Sequence, residues 1–348
     1  MKKIGHLLLL DALGGVERWY LDLAQAGFFE RWEHIIFACA KELDTDLVER
    51  FSLWVDIVHL GHLSVFSKIR SIQLAKVTHI HNHIYLHAAR VLPLFWLTSN
   101  PNIITHNHSA ALNHIHARLL SVLAPIMKKF IQLLSHKYVA VSRKSAMDLF
   151  PTDAKVTLLA CVLAHYEQIE AKTIPTDKIR LLHVGRFYQS SYFEDAKNQS
   201  FILPILDALE QQSIDFVMHF VGGGDHYSIK AHIEAAGLRR KVFFNAFQNV
   251  DEAYRASNIL LVPSQHEGYG LVALEAQLYG LHTLISDAVP HEVIHKPLLV
   301  KQLPIRAHDA KVWVDCILNL NFPPPNEEID RNKLNFNRHL EAIYKLYD

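Results

Sequence analysis

Cysteine is scarce in this 348-residue chain: Cys39, Cys161 and Cys316 lie far apart and are odd in number. That excludes a disulfide framework, and with no CxxC pair it offers no thiolate metal motif; it fits a reducing cytoplasm. Excess charge is missing too, with 35 Lys plus Arg against 35 Asp plus Glu. No general basic field exists for nucleic acid, so any anion site must be built locally. No apolar run reaches the roughly 18 residues that a membrane span needs. The start, MKKIGHLLLLDALGG, imitates a secretory leader, but its apolar run stops at Asp11 with no small-residue cleavage site, so it reads as a first strand. No low-complexity tract or short repeat occurs. No G-x-G-x-x-G follows the first strand with an acid about 20 residues on, which argues against a hydride-transferring dinucleotide enzyme.

What is present is ordinary for a globular protein: 50% hydrophobic and 20% charged residues. Single cores rarely grow beyond about 250–300 residues, so the length implies two domains. Short apolar runs alternate with helix-period segments along the whole chain. They are IGHLLLL, HIIFACA, VDIVHL, VTHIH, NIITH, YVAVS and VTLLA, then IRLLHVG, FVMHFVG, VFFNA, NILLVPS and HTLIS. Continuous apolar runs separated by helices imply parallel strands covered on both faces, an α/β fold of two doubly wound sheets. The polar stretch 165–179 carries Pro175 and is read as the connection. The expected domains are 1–165 and 166–332, with a last helix at about 333–348 packing back on the first. Two such domains facing each other would bind ligand in the cleft, at the carboxyl ends of their strands.

The stretch HEGYGLVALEAQLYG at 266–280 poses a chemical problem. A strand ends at Ser264 and a helix begins near Gly270, so the glycine loop and the first free N–H groups of the helix make a site for phosphate. Gly268 and Gly270 let the main chain come close, having no Cβ. Yet Glu267 precedes this site and Glu275 follows it. A carboxylate beside phosphate repels it unless it is occupied by hydroxyls, and a nucleotide sugar offers hydroxyls on both sides of its diphosphate. Glu275 would then take the ribose diol and Glu267 the transferred sugar. Two alternatives stand beside this: a turn glutamate and a solvated helix glutamate, or a glycosidase pair. The latter needs carboxyls about 5–9 Å apart across a sugar, which a loop-then-helix spacing serves poorly.

The longer segment NILLVPSQHEGYGLVALEAQLYGLHTLISDAVPHEV (258–293) resembles the glutamate–seven residues–glutamate region of family-4 retaining glycosyltransferases, closest to capsule and exopolysaccharide members. The likeness extends more weakly over nearly the whole chain. It implies a GT-B architecture, two Rossmann-like domains across a cleft. It also implies transfer of a hexose or N-acetylhexosamine from a UDP-sugar to a saccharide or lipid-linked saccharide, without metal or other cofactor. LLHVGRF and AKNQSFIL resemble the strand-end Gly-Arg and the Lys-Asn helix start, so Arg186 and Lys197 are assigned to the diphosphate. FVMHFVGGGD resembles the Val-Gly-x-Gly turn with Gly222, and VFFNAF the base-lining strand and loop with Phe247. Tyr269, Gly270 and Leu271 offer backbone N–H groups, and Gly14 and Gly15 of DALGGVERWYLDLA approach the diphosphate from the other domain. KYVAVSRKSAMDLF matches a strand ending in Ser142. The chain departs from the pattern in the long link FYQSSYFEDA between Arg186 and Lys197, in ACVLAH at 160–165, and in Asn258 where Asp is usual.

Eight of the 24 histidines lie in HIHNHIYLH (79–87) and THNHSAALNHIH (105–116). His79, His81 and His83 alternate and would share one face of a strand, a plausible zinc spacing. Both stretches also resemble the family's strand ends, which close in His-x-His. By that resemblance His106 is catalytic near the anomeric carbon, His108 lies on the acceptor side, and no metal is expected. The segment IHARLLSVLAPIMKKFIQLLSHK (115–137) mixes apolar blocks with Arg118, Lys128, Lys129 and Lys137. It reads either as a helix buried on one face or as a peripheral docking face for the cytoplasmic side of an inner membrane. Two other classes compete with transfer: a sugar-nucleotide epimerase on the same plan, and a non-catalytic nucleotide- or metal-binding protein.

Overall fold

The computed structural model describes residues 2–109, 118–170, 177–187, 196–245 and 249–348. They form two compact units. The first takes the described residues up to Glu167 together with Asn332–Asp348, the second Gln168–Arg331.

The first unit holds β1 (Lys3–Leu8), β2 (Glu33–Ala38), β3 (Asp56–His59), β4 (His79–Asn82), β5 (Asn102–Asn107), β6 (Lys137–Ala140) and β7 (Val156–Leu158). Their order across the sheet is β3-β2-β1-β4-β5-β6-β7, every neighbouring pair parallel. The second unit holds β8 (Ile179–Val184), β9 (Phe216–Val221), β10 (Val242–Phe244), β11 (Ile259–Val262), β12 (His282–Ser286) and β13 (Val300–Leu303). Their order is β10-β9-β8-β11-β12-β13, again all parallel. Each sheet reverses direction of growth once, between β1 and β4 and between β8 and β11, and such reversals open ligand crevices at the carboxyl edge.

The architecture is the expected alternation of parallel strands and covering helices. Central strands such as ILLV of β11 and HTLIS of β12 are buried at every position, because helices cover both faces. In the second unit Leu181, Met218, Phe220 and Leu261 of the strands pack with Leu206 and Trp313 of the covering helices. The strand β13 lay outside the expected set. It is an edge strand with two of its four residues exposed, so it lacks a continuous apolar run.

The helix Phe336–Tyr344 and the residues after it belong to the first unit. Trp19 Nε1 donates to His339 Nε2 at 2.8 Å, Tyr347 Oη meets His81 Nδ1 at 2.6 Å, and Lys137 Nζ reaches the Leu346 carbonyl at 2.8 Å.

Candidate functional site

In the second unit, three loops leave the carboxyl edge of the sheet side by side. After β8 the chain runs Gly185-Arg186-Phe187. After β9 it runs through Gly222, Gly223 and Gly224, and these two segments are zipped together by Gly185 N to Val221 O at 2.9 Å and Phe187 N to Gly223 O at 2.8 Å. Gly222 sits at φ +147°, and a Cβ there would fall 2.0 Å from the Gly185 carbonyl oxygen. Only glycine permits that crossing. Asn245, just beyond β10, clamps the turn from outside: its Oδ1 accepts from Gly222 N at 2.8 Å and its Nδ2 donates to Gly222 O at 3.1 Å. Arg186 is held at the exposed tip of this construction, its carbonyl taking a hydrogen bond from Gln199 Nε2 at 2.9 Å.

The third loop follows β11. Asn198 Nδ2 donates to the Pro263 carbonyl at 3.0 Å, and Gln265 N donates to the Ala196 carbonyl at 2.9 Å, so the Lys197 segment is sewn to the glutamate loop. Lys197 Nζ lies 2.5 Å from Glu267 Oε1, which also accepts from Ser264 Oγ at 3.1 Å. The aliphatic stem of Lys197 lies over Gly185, its Cγ being 3.3 Å from where a Cβ would sit.

The helix Leu271–Tyr279 begins at Gly270, which takes a left-handed φ of +94° and provides no side-chain cap. Its first N–H groups, like those of any helix, have no acceptor within the helix, and the helix dipole makes that end positive. One turn on, Glu275 is 5% exposed, and Tyr254 Oη donates to its Oε2 at 2.8 Å. Tyr254 is itself fixed by stacking on Tyr279, ring centroids 5.0 Å apart. The Tyr269 side chain turns away, its hydroxyl meeting Glu292 O at 3.3 Å and His295 Nε2 at 3.0 Å. Gly268 is buried. Phe247 lies outside the described residues, as does 188–195 of the long link.

The structure therefore brings Arg186, Lys197, Gly222, Glu267, Gly268, Gly270, Leu271 and Glu275 to loops and a helix end of one unit. Gly14 and Gly15 belong to the other unit, where Gly14 precedes the helix Gly15–Gln25 and donates its N–H to Glu17 Oε2 at 3.1 Å. The sequence alone assigns no site role to Asn245, Tyr254, Ser264 or His183. His183, the penultimate residue of β8, lies near Lys197; its Nδ1 bonds the Leu261 carbonyl at 2.9 Å, and burial pushes the imidazole down to about 4, so it is neutral. The only available signals were polar residues placed where the apolar run or the helix face calls for apolar ones.

The histidines of the first unit form a second constellation. His6 of β1 pairs in register with His81 of β4, and His81 with Ile104 of β5, so His81, His83, His106 and His108 share one face. A continuous string of hydrogen bonds joins His34 Nδ1 to His6 Nε2 (2.8 Å), His6 Nδ1 to Tyr20 Oη (2.9 Å), Tyr20 Oη to His83 Nε2 (2.7 Å) and His83 Nδ1 to His108 Nε2 (2.8 Å). His108 Nδ1 faces Cys161 Sγ at 3.6 Å. His106 is 1% exposed and its Nε2 bonds the Leu159 carbonyl at 3.0 Å. Burial lowers all of these imidazoles, His108 to about 3, so the string is neutral. His106 and His108 thus sit inside a hydrogen-bonded cluster, with only His108 partly exposed.

The family model for glycosyl transferases group 1 matches residues 166–315, the span of β8–β13 and the loops just described. Those residues are a group 1 glycosyltransferase domain. The chain is similar to EpsF of Bacillus subtilis, which bears a glycosyltransferase's name, at 27% identity over 43% of this chain and 38% of that protein. It is similar also to a lipopolysaccharide 1,6-galactosyltransferase of Salmonella typhimurium, at 26% identity over 40% of each chain. The matched segments thus span about two fifths of these curated relatives. The crystal structure of Anabaena Alr3699/HepE in complex with UDP-glucose superposes with a TM-score of 0.72 at 13% identity, covering 91% of this chain and 89% of that one. That likeness shows the GT-B fold of two parallel-sheet α/β domains. In the group 1 domain, the helix end at Gly270 and the paired Lys197 and Glu267 occupy the carboxyl edge of the sheet.

Proposed function

We propose that the protein is a retaining glycosyltransferase that moves a hexose or N-acetylhexosamine from a UDP-sugar to a saccharide or lipid-linked saccharide in surface polysaccharide synthesis, without a metal in the transfer. The observation that carries this reading is the joining of Lys197, Glu267 and the Gly270 helix end at one sheet edge, beside the Gly185-Arg186 tip. In this reading the diphosphate lies against the N–H groups of residues 269–271, Arg186 and Lys197. The ribose diol goes to Glu275, which Tyr254 holds in place, and the transferred sugar to Glu267.

The acceptor oxygen forms its bond to the anomeric carbon on the face from which the phosphate oxygen departs, and its proton passes to that departing oxygen. Negative charge grows on the β-phosphate. Fixed cations and N–H groups aimed there stabilise it, each preorganised donor being worth ~3–4 kcal/mol in a dry site. The comparison that supports a nucleotide-sugar donor is the UDP-glucose complex of the Anabaena protein. Arg186→Ala, Lys197→Ala and Glu275→Ala, assayed for transfer from UDP-sugars, test the reading. Losses of about 100- to 1,000-fold are expected, and undiminished turnover in all three would end it.

The acceptor side of the proposal places the protein on the cytoplasmic face of an anionic membrane. No helix among the described residues is long and apolar enough to cross one. The helix Arg118–Leu134 presents an exposed stripe of Val122, Ile126, Phe130 and Leu133, and Lys129 is exposed beside it. Lys128 is turned instead to Asp148, so it is not a docking charge. Vesicle binding should weaken in Phe130→Asp and Lys129→Glu; binding that ignores both removes this part of the reading.

A further inference from the structure

We propose that His83, His106 and His108, all in the first unit, form a three-nitrogen site for a borderline divalent transition metal, with Zn2+ as the type. One ring nitrogen of each lies within 4.8 Å of the others. One nitrogen of each ring is already engaged. A ligating histidine characteristically bonds through its other nitrogen to a carbonyl, carboxylate or similar partner, which fixes the tautomer and aims the lone pair. His106 meets that condition, its Nε2 on the Leu159 carbonyl at 3.0 Å; His83 Nε2 has the Tyr20 hydroxyl at 2.7 Å, and His108 Nδ1 faces the weaker Cys161 Sγ at 3.6 Å.

The second nitrogen of each ring remains. His106 Nδ1 is buried and has no hydrogen-bond partner, an expensive condition for a polar atom with a lone pair. His83 Nδ1 and His108 Nε2 lie 2.8 Å apart, sharing one proton where a metal would hold both. When the metal enters, the outward nitrogens keep the protons: His83 Nε2–H donates to Tyr20 Oη, Tyr20 Oη–H to His6 Nδ1, and His6 Nε2–H to His34 Nδ1. The string of bonds allows this shift without charging any ring.

The fold puts the cluster where ligands are taken up. His83 follows β4 and His108 follows β5, at the carboxyl edge next to the β1–β4 reversal. His108 is partly exposed, which gives an entry path, while His83 and His106 are buried. Three neutral imidazoles and no carboxylate select Zn2+, Co2+, Ni2+ or Cu2+ over Mg2+ and Ca2+, which demand oxygen ligands. Three protein ligands also leave a fourth position open, the arrangement of reactive rather than closed structural zinc sites.

The test uses the full chain stripped with a chelator. Equilibrium dialysis against Zn2+ should give about one equivalent per chain, with none for Mg2+, and Co2+ should give the intense visible bands of a tetrahedral nitrogen site. His108→Gln and His106→Gln should abolish stoichiometric binding, while His79→Ala, on the same strand but outside the cluster, should leave it intact. Tyr20→Phe keeps all three ligands and should weaken affinity about 10- to 100-fold, which a merely structural Tyr20 would not do. Circular dichroism checks each fold; should His106→Gln not fold, His108→Gln, at the exposed member, decides. Substoichiometric binding by the native chain, or binding that survives His108→Gln or is lost in His79→Ala, overturns the site. None of these readouts involves sugar transfer, so failure here leaves the donor-site reading untouched, and failure of that reading leaves this one.

Discussion

Lys197 Nζ and Glu267 Oε1 form an ion pair at 2.5 Å, with the glutamate side chain 10% and the lysine 30% exposed. The two residues are assigned to different parts of a donor, the lysine to phosphate and the glutamate to a sugar hydroxyl. In this structure each neutralises the other. A donor phosphate would draw the ammonium toward itself and release the carboxylate for a hydroxyl, so charge is exchanged rather than newly desolvated. A double-mutant cycle on kcat/KM reads this directly. Lys197→Met and Glu267→Gln should each lose at least about 100-fold, and the double variant should lose less than the product, by a coupling of about 1–3 kcal/mol. Strict additivity would mean that the pair does not act together.

The glycine turn after β9 supplies a stability test with an internal control. A Cβ on Gly222 would meet the Gly185 carbonyl oxygen at 2.0 Å, whereas one on Gly223 finds nothing within 4 Å. Gly222→Ala forces two backbone segments apart and should cost more than about 3 kcal/mol in denaturant unfolding. Gly223→Ala should stay within about 0.5–1 kcal/mol of the parent. Equal effects would contradict the described crossing.

Acid should unfold the protein through histidines held neutral. Burial lowers His34, His183 and His339 to about 4, against an ordinary value of 6.5. His339 Nε2 accepts from Trp19 Nε1, a bond that a protonated ring would forfeit. The unfolded chain binds these protons below 6.5 and the folded chain does not, so their stability is fully present above 6.5 and drains away as the pH falls toward 4. Each contributes up to about 1.4 kcal/mol per pH unit in that window. Chelator-treated protein melted at pH 7.5, 6.5 and 5.5 should lose little over the first step and several kcal/mol over the second. A flat profile between 6.5 and 5.5 would refute the buried-neutral assignment.

Much of the fold was legible because the chain repeats one physical device. Strands buried on both faces must be apolar throughout, and ILLV or HTLIS shows that without context. VKQL of β13 escaped because an edge strand buries only part of itself. At the candidate site, HEGYGLVALEAQLYG announced its helix end and both glutamates, since those features are consecutive in sequence. Their supports were not readable: Tyr254 lies 21 residues from the Glu275 it bonds, and the Asn245 clamp closes over a 23-residue gap. The histidine constellation was visible as spacing on single strands. Its closure by Tyr20, from the helix after β1, and by Leu159 and Cys161, after β7, depends on segments distant in sequence meeting at one sheet edge, which only the folded sheet provides.

The central claim is that the group 1 domain grips a nucleoside diphosphate at its sheet edge, and thermal unfolding with and without UDP addresses it with least assumption. A ligand at 100 times its dissociation constant adds ~2.7 kcal/mol to stability. The native chain should show a stabilisation that rises with UDP concentration, shrinks in Arg186→Ala and Lys197→Ala, and is absent with uridine alone. A melting temperature unmoved by millimolar UDP, or a shift that both variants retain in full, would contradict the account.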